Sequence, residues 1–456
     1  MEQAMNIQGE WWLPISPALK RAGTLTFFPG QQLLLKLHSC LEDKPQVRYE
    51  SQAMILGVSP TVGNLTLTGC WGKASPTGSE YTASTLLVGQ HFPDPQDIGV
   101  EWMAVRFHNL EEVVGLTTIE EPHFLAFGEE GHPSPYRLNQ VPASSQTARL
   151  GEFRLRTETC FGTSGTPFAT REVHNRTFLI FEADTEKKID EFWEGPVRAL
   201  HYLVELIVMQ AVPILQIVCG NKRNPFTNPN GEIEYPEMSV LQSWQPNRLP
   251  LPARRPVQDL LLTLRSLGEG FGDALDNYYQ SYERLRPAFD LSFNVLRNPS
   301  MPPYLQFLSL SQALEFYHRC NYLNEDLPLH EHLAWLSTFL NVGTPEARKR
   351  LERKLRYSNE PSLRKRVNQV FMGLPDQVQE RLGKRKSFVN RLVNTRHYYT
   401  HYDESLKQKA LSGADLLECC QQLRGLLTIL CLRLLKLDDE RICKVALDAR
   451  KRLFTP

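Results

Sequence analysis

Residues Arg391 to Asp403 read R-L-V-N-T-R-H-Y-Y-T-H-Y-D, with two arginines, two histidines and three tyrosines in thirteen positions. An arginine presents a fixed fork of N–H donors that suits a phosphate. An imidazole can take or give a proton near neutral pH. Together they are the minimal equipment for cleaving RNA without a metal. Arg396 and His401 form an R-x4-H pair, five positions or about 140° apart around a helix. Their long side chains can converge on one phosphate lying across that face. His397 and His401 are four apart and share a face. Arg391 and His397 make a second pairing, R-x5-H, so the choice of arginine stays open at this level. Such pairings are common by chance in a basic region, and spacing makes this stretch a candidate only.

A metal reading competes with the phosphate reading. H-x3-H on a helix can supply half of a zinc site, but a third ligand and a catalytic Glu are needed, and H-E-x-x-H is absent. His330 and His332 flank Glu331 at the spacing of a strand or loop pair. No metal is expected, and no cofactor. Tyr398, Tyr399 and Tyr402 offer rings that stack on bases or pack in a core, and core packing is the expectation for at least one of them. Nine basic residues lie between Arg348 and Arg366 against Glu352 and Glu360, and Lys384, Arg385 and Lys386 lead into the motif. A solvated helix face is the default for any one such cluster. Three close to the motif favour contact with a phosphate backbone, for which Lys384, Arg385, Lys386, Tyr398 and Tyr399 are the candidates. Walker A, G-x-G-x-x-G and G-x-S-x-G are missing, which excludes the usual ATPase, dehydrogenase and serine hydrolase sites.

The motif stretch has no Gly or Pro, and Val389, Leu392 and Val393 give it an apolar stripe at helical spacing, so a helix is expected there. From Val257 onward the pattern is helical throughout, over roughly 257–267, 273–296, 304–322, 328–340, 346–357, 362–373, 384–402, 413–437 and 439–452, with stop signals at Asn341-Val-Gly-Thr-Pro and Gly373-Leu-Pro-Asp. That predicts an α-helical bundle over 256–456. Residues 1–255 read differently. G-E-W-W-L-P, A-G-T-L-T-F and L-L-L-K-L around a Pro29-Gly30 turn, Asn64–Trp71, Thr82–Gly89, Glu101–Phe107 and Arg176–Glu182 are short strand-like runs between turn signals. They predict an antiparallel β-sandwich-like domain rather than βαβ units. One amphipathic helix is expected near 186–210, followed by a strand at Ile214–Cys219. The segments Asn221–Asn230 and Gln245–Pro256 read as loops or linkers, with the domain boundary at the second. The fold class is thus α+β and multidomain.

The 456-residue chain is formally neutral, yet residues 1–300 hold 25 Lys and Arg against 34 Asp and Glu, and residues 301–456 hold 26 against 17. Only the back part is expected to meet a polyanion, unless the two parts simply attract each other. Nine scattered cysteines without C-x-x-C fit thiols in a reducing compartment. The polar N-terminus shows no signal peptide, and Leu203–Val218, broken by Glu205, Gln210, Pro213 and Gln216, is too short and polar to span a bilayer. A cytoplasmic location without membrane contact is expected.

The T-R-H-Y-Y-T-H-Y-D helix in a C-terminal bundle resembles the HEPN superfamily, whose ribonucleases share R-x(4–6)-H. Leu308–Arg319, L-S-L-S-Q-A-L-E-F-Y-H-R, is similar to the helix that opens this domain in ApeA-type anti-phage proteins. G-E-W-W-L-P, A-G-T-L-T-F and E-W-M-A-V-R-F resemble their β-rich N-terminal domain. The resemblance implies a metal-independent endoribonuclease of abortive infection, cutting RNA (tRNA among the candidates) once its β domain senses a phage component, expected to be a protein. It implies a homo-oligomer, at least a dimer, in which two motif helices build one composite site. Arg396 takes the place of the motif arginine and His401 that of the histidine. His397 stands where relatives often carry Asn, and with Tyr402, Asp403 and Arg391 it is an auxiliary candidate. The alternative is a non-catalytic RNA-binding or protein-interaction scaffold with a lectin-like β domain, in which Trp11, Trp12 and Trp71 would stack on sugars, although buried tryptophans are the commoner outcome.

Overall fold

Threonine-, leucine- and aromatic-rich runs with apolar side chains at every second position form six strands, β1 (Met5–Trp12), β2 (Arg21–Phe27), β3 (Leu33–Leu37), β4 (Arg48–Ser59), β5 (Gly63–Ala74) and β6 (Ser79–Ala83). They pair antiparallel in the order β4-β1-β2-β3-β6-β5, and β5 pairs back onto β4, which closes a barrel and removes the free edges of those strands. The structure is a computed structural model and describes residues 5–27, 32–42, 47–116, 146–164, 172–222, 225–227, 231, 233–243, 251–340, 344–451 and 453–454. The chain divides into two compact units, Met1–Tyr279 and Gln280–Pro456.

Alternation fills the barrel. Leu25 and Phe27, Leu33, Leu35 and Leu37, and Leu65 and Leu67 point inward and are almost fully buried. Trp11 is completely buried among them, and its register partner on β4 is Gly57, where any side chain would collide with the indole. Trp12 is buried too, edge-on to His91, so neither ring is offered to a ligand. Trp71 is 57% exposed and stacks on Tyr49 at 5.7 Å.

From β5 the sheet runs on, still antiparallel, through β7 (Thr85–Val88), β8 (Val100–Phe107), β9 (Thr147–Leu150), β10 (Phe153–Ser164), β11 (Glu172–Lys187) and β12 (Ile214–Gly220). A small hairpin, β13 (Phe226–Thr227) with β14 (Ile233–Glu234), stands apart, and β15 (Glu237–Gln242) bridges β7 and β12. The β-rich antiparallel expectation is met, with the added feature that the first six strands close. A short helix α1 (Leu110–Val114) was not signalled by the sequence pattern. The helix expected near 186–210 is broken into α2 (Ile189–Phe192) and α3 (Arg198–Val208) by a π-helical turn, Trp193–Val197. Gly195 leaves helical geometry there (φ −94°, ψ −110°), and Pro196 has no N–H to give.

The helix expected over 257–267 is instead two 3₁₀ turns, Val257–Asp259 and Leu264–Gly270. Leu260 is extended between them, and Gly268 sits at φ +60°, which stops propagation. The helices proper are α4 (Phe271–Arg297), α5 (Pro303–Asn321), α6 (Leu329–Leu340), α7 (Pro345–Leu355), α8 (Leu363–Met372), α9 (Asp376–Leu382), α10 (Arg385–His401), α11 (Gly413–Arg433) and α12 (Asp439–Leu447). The sequence pattern did not reveal α9, a seven-residue helix closed by Gly383 at φ +86°. Phe307, Leu310 and Leu314 of α5 are buried where α5 packs on α11, as are Leu423, Leu426 and Leu430. α10 packs on α5 and α8, with Phe388 against Phe371 at 5.8 Å. The Pro29-Gly30 turn, Asn341–Gly343 and parts of both expected linkers lie outside the described residues. All nine cysteines are free, and burial pushes the Cys70, Cys219 and Cys419 thiols up to about 12. Among the described residues no helix is long and apolar enough to cross a membrane.

A Cβ on Gly57 would lie 2.3 Å from the Trp11 ring. Gly57→Ala is therefore expected to destabilise the β unit by about 1–3 kcal/mol, read as a lower urea midpoint of its unfolding. An unchanged midpoint would mean that the indole can move aside freely.

Candidate active site

The motif helix α10 buries Phe388, Val389, Leu392, Val393 and Thr395. Its last two turns carry the chemistry, and it ends at His401 because Tyr402 takes a left-handed conformation (φ +51°) and donates its N–H to the Tyr398 carbonyl at 2.6 Å. Asp403 then caps the following 3₁₀ turn, accepting from the Ser405 N–H and hydroxyl, and these bonds hold its carboxyl below the usual range. The returning loop is fastened to α10 at one residue. Leu411 donates its N–H to Thr395 Oγ1 at 3.0 Å and accepts from the Tyr399 hydroxyl at 3.0 Å. Tyr399 also stacks on Tyr304 at 5.9 Å, so this ring belongs to the packing. Tyr398 lies edge-on to both Tyr399 and Tyr402, and Tyr402 is 61% exposed.

Arg396 faces a cleft between α5 and α10, lined by Leu308, Gln312, Glu315, Phe316 and Arg319 with Tyr399 and Thr400. Its Nη2 lies 3.6 Å from Glu315 Oε2. Glu315 also meets Arg319 at 3.4 Å, and Arg319 reaches Glu360 at 3.0 Å. Glu360 accepts from Arg366 at 2.9 Å, and the buried Arg366 donates to the Pro361 carbonyl and to His318 Nδ1 at 3.3 Å. His318 Nε2 closes the series on Gln369 Oε1 at 2.7 Å. A continuous chain of alternating charge thus runs from Arg396 into the core. The reading of the motif alone missed all of these partners. The signal that could have found them is the i, i+4 pair Glu315–Arg319 on one face of α5.

The exposed His397 and His401 rings are 6.3 Å apart at an interplanar angle of 73°. Partial desolvation and the nearby Arg396, His401 and Arg364 hold the His397 imidazole below its ordinary value, which favours its neutral form. Among the described residues no three His, Cys, Asp or Glu side chains gather as a metal-binding group. Arg391 turns to α11, where it donates to Gln422 at 3.1 Å, and its buried Nε finds no partner among the described residues. Lys384, Arg385 and Lys386 are exposed at the other end of α10, with Arg385 donating to Met372 Sδ at 2.9 Å. About 15 Å of helix axis separates Lys386 from Arg396, and none of Lys384, Arg385 and Lys386 lines the Arg396 cleft.

Residues 6–278 match the family model described as ApeA N-terminal domain 1, and residues 308–441 match Apea-like HEPN. The chain belongs to the ApeA family, anti-phage proteins that join such a β-rich domain to a C-terminal HEPN domain. HEPN domains are generally ribonucleases and commonly dimerise. No curated protein and no solved structure matches the chain.

Burial holds the His318 imidazole below 6.5 despite its bond to Gln369. Above that pH the ring is neutral in folded and unfolded chains alike. As the pH falls below 6.5 the unfolded chain takes the proton first, so stability is lost down to the lower folded value. His318→Gln is expected to flatten this loss in urea unfolding between pH 7.5 and pH 5. An equally steep loss in the variant would place its origin elsewhere.

Proposed function

We propose that this protein is a cytoplasmic HEPN endoribonuclease of abortive infection, in which Arg396 holds the scissile phosphate and His401 moves the proton. The observation that carries this reading is the Arg396 cleft, where the motif guanidinium lies at a groove and is oriented by Glu315. Arg391, the other arginine of the motif, is engaged by α11 instead. In the reaction the 2′-hydroxyl attacks phosphorus as a base takes its proton, and the P–O5′ bond breaks as an acid protonates the leaving oxygen. The products are a 2′,3′-cyclic phosphate and a 5′-hydroxyl. Negative charge gathers on the phosphoryl oxygens, where a guanidinium fork stabilises it best. One His401 can serve one proton transfer, and the His401 of a second copy the other, which is the reason for a composite dimer site. Residues of the chain meet the whole demand, so neither metal nor cofactor enters the proposal. His397, neutral and beside both groups, is suited to orient the phosphate or a water. The β unit serves as the sensor of a phage component, a protein, and tRNA is the first RNA to test.

His401→Ala is expected to lower cleavage of total tRNA at least ~100-fold, while EDTA leaves the wild type active and its fragments carry cyclic phosphate ends. Fragments ending in 5′-phosphate and 3′-hydroxyl, or loss of activity in EDTA, would defeat the mechanism. If purified wild type is silent, the same pair is compared for phage protection in cells. Equal protection by the variant would leave the scaffold reading. Glu315→Gln removes a negative charge beside the phosphate site and also the group that orients Arg396. RNA should therefore bind more tightly as kcat falls, and a variant with both constants unchanged would show that the ion pair has no part in positioning.

A further inference from the structure

Between α5 and α8 the chain departs from the bundle as a helical hairpin, α6 and α7, packed against each other. Its two feet are tied together. Asn359 donates to the Leu327 carbonyl at 3.0 Å and accepts the Leu327 N–H at 2.9 Å, while the Asn359 carbonyl accepts from the Asp326 N–H at 2.7 Å. Higher up, His332 of α6 meets the Ser358 hydroxyl at 3.3 Å.

The outward face of this hairpin is cationic. Arg348, Lys349, Arg350, Arg353, Lys354 and Arg356 are all exposed, and α7 has no buried residue. None of the six forms an ion pair with any described residue, although Glu346 and Glu352 share their helix. At 100° per residue they cover well over half of the helix circumference, leaving Leu351 and Leu355 for the side toward α6. Exposed aromatic rings belong to the same hairpin. Tyr357 is 66% exposed under the Arg356 guanidinium, and Trp335 of α6 is 41% exposed, stacked on His332. Unpaired cations with interleaved exposed aromatics match a single strand of nucleic acid, which offers a phosphate backbone and unstacked bases together. An acidic protein surface would use the cations but not the rings.

We infer that the α6–α7 hairpin is an arm that binds a single-stranded segment of the RNA substrate outside the Arg396 cleft, through the α7 cations and the Tyr357 and Trp335 rings. This rests on the ribonuclease reading for the identity of the substrate. The arm is joined to the cleft through its foot. Glu360, next to Asn359, pairs with Arg319, which shares Glu315 with Arg396. A strand lying along the arm therefore ends its path at the residues that orient the motif arginine.

The test uses the full chain carrying His401→Ala, with a fluorescein-labelled 20-nucleotide oligouridine and binding followed by anisotropy at several salt concentrations. Arg350→Gln/Arg353→Gln/Lys354→Gln keeps helix-forming residues at exposed positions that make no ion pair with any described residue, and should fold normally. It is expected to weaken binding about 10- to 50-fold near physiological salt and to flatten the log–log salt slope by about 2. Tyr357→Ala is expected to weaken binding about 5- to 100-fold with the slope unchanged. A charge-matched control, Lys436→Gln/Arg441→Gln/Lys444→Gln, should bind as its parent does. Equal losses in both triple variants would reduce the effect to net charge, and unchanged affinity in the arm variant would assign the hairpin to a protein partner. Either result, or no binding by the parent, overturns the arm. With His401 restored, cleavage separates the two readings. Normal cleavage with an unchanged KM in the arm variant sinks the arm alone, whereas arm-dependent binding without cleavage, together with equal phage protection by wild type and His401→Ala, sinks the nuclease alone.

Discussion

The helical unit is organised by a constraint on charge. Arg366 and His318 are almost wholly buried, and a buried guanidinium is tolerated only when its donors are met. Glu360 and Pro361, adjacent in the loop before α8, and His318 of α5 meet them. The carboxylate of Glu360 is shared with Arg319, that of Glu315 with Arg319 and Arg396. The series is anchored at its buried end, where Arg366 would keep an unmet charge if Glu360 moved away. The register of α5, α8 and α10 and the position of the motif arginine are therefore fixed by one set of contacts.

The motif helix answers two demands with two faces. Thr395 and Tyr399, one turn apart, grip both backbone groups of Leu411 and belong to the fold. Arg396 and Thr400, the residues that follow each of them, turn to the cleft. The histidines occupy a third sector, exposed and with no hydrogen bond to any described residue that would have to break for a proton to move. A tyrosine-rich motif thus combines one ring locked in packing with one, Tyr402, that stands in solvent at the helix end.

Much of this could be read from the sequence because its causes are local. Period-two apolar runs dictated strands, and a stretch without Gly or Pro dictated α10. Barrel closure could not be read, since β4 must pair not only with its hairpin neighbour β5 but also with the distant β1. The break at Gly195-Pro196 was present as two residues inside an otherwise amphipathic pattern, and periodicity outweighed them. The expected 257–267 helix failed for a similar reason, with Gly268 ending a turn that its leucines suggested would continue. In the site, R-x4-H was visible but the choice between Arg396 and Arg391 was not. It depends on Glu315 and Gln422, residues from helices that lie many positions away in sequence. Lys384–Lys386 adjoin the motif in sequence, yet the straight rise of a helix carries them to its far end.

The arginines of the helical unit fall into two populations, and neighbouring carboxylates decide which. Arg319, Arg366 and Arg396 lie within reach of Glu315 or Glu360 and are held in fixed geometry. Such residues can orient a reacting phosphate, because a guanidinium already in place loses little freedom when the anion arrives. The exposed cations of α7 form no ion pair with any described residue, an arrangement suited to tracking a flexible polyanion through counterion release rather than to positioning one atom. Glu360 stands where the two populations meet, at the foot of the hairpin and in the ion-pair series at once. One carboxylate thereby joins the part of the unit that can hold a strand to the part that can act on it.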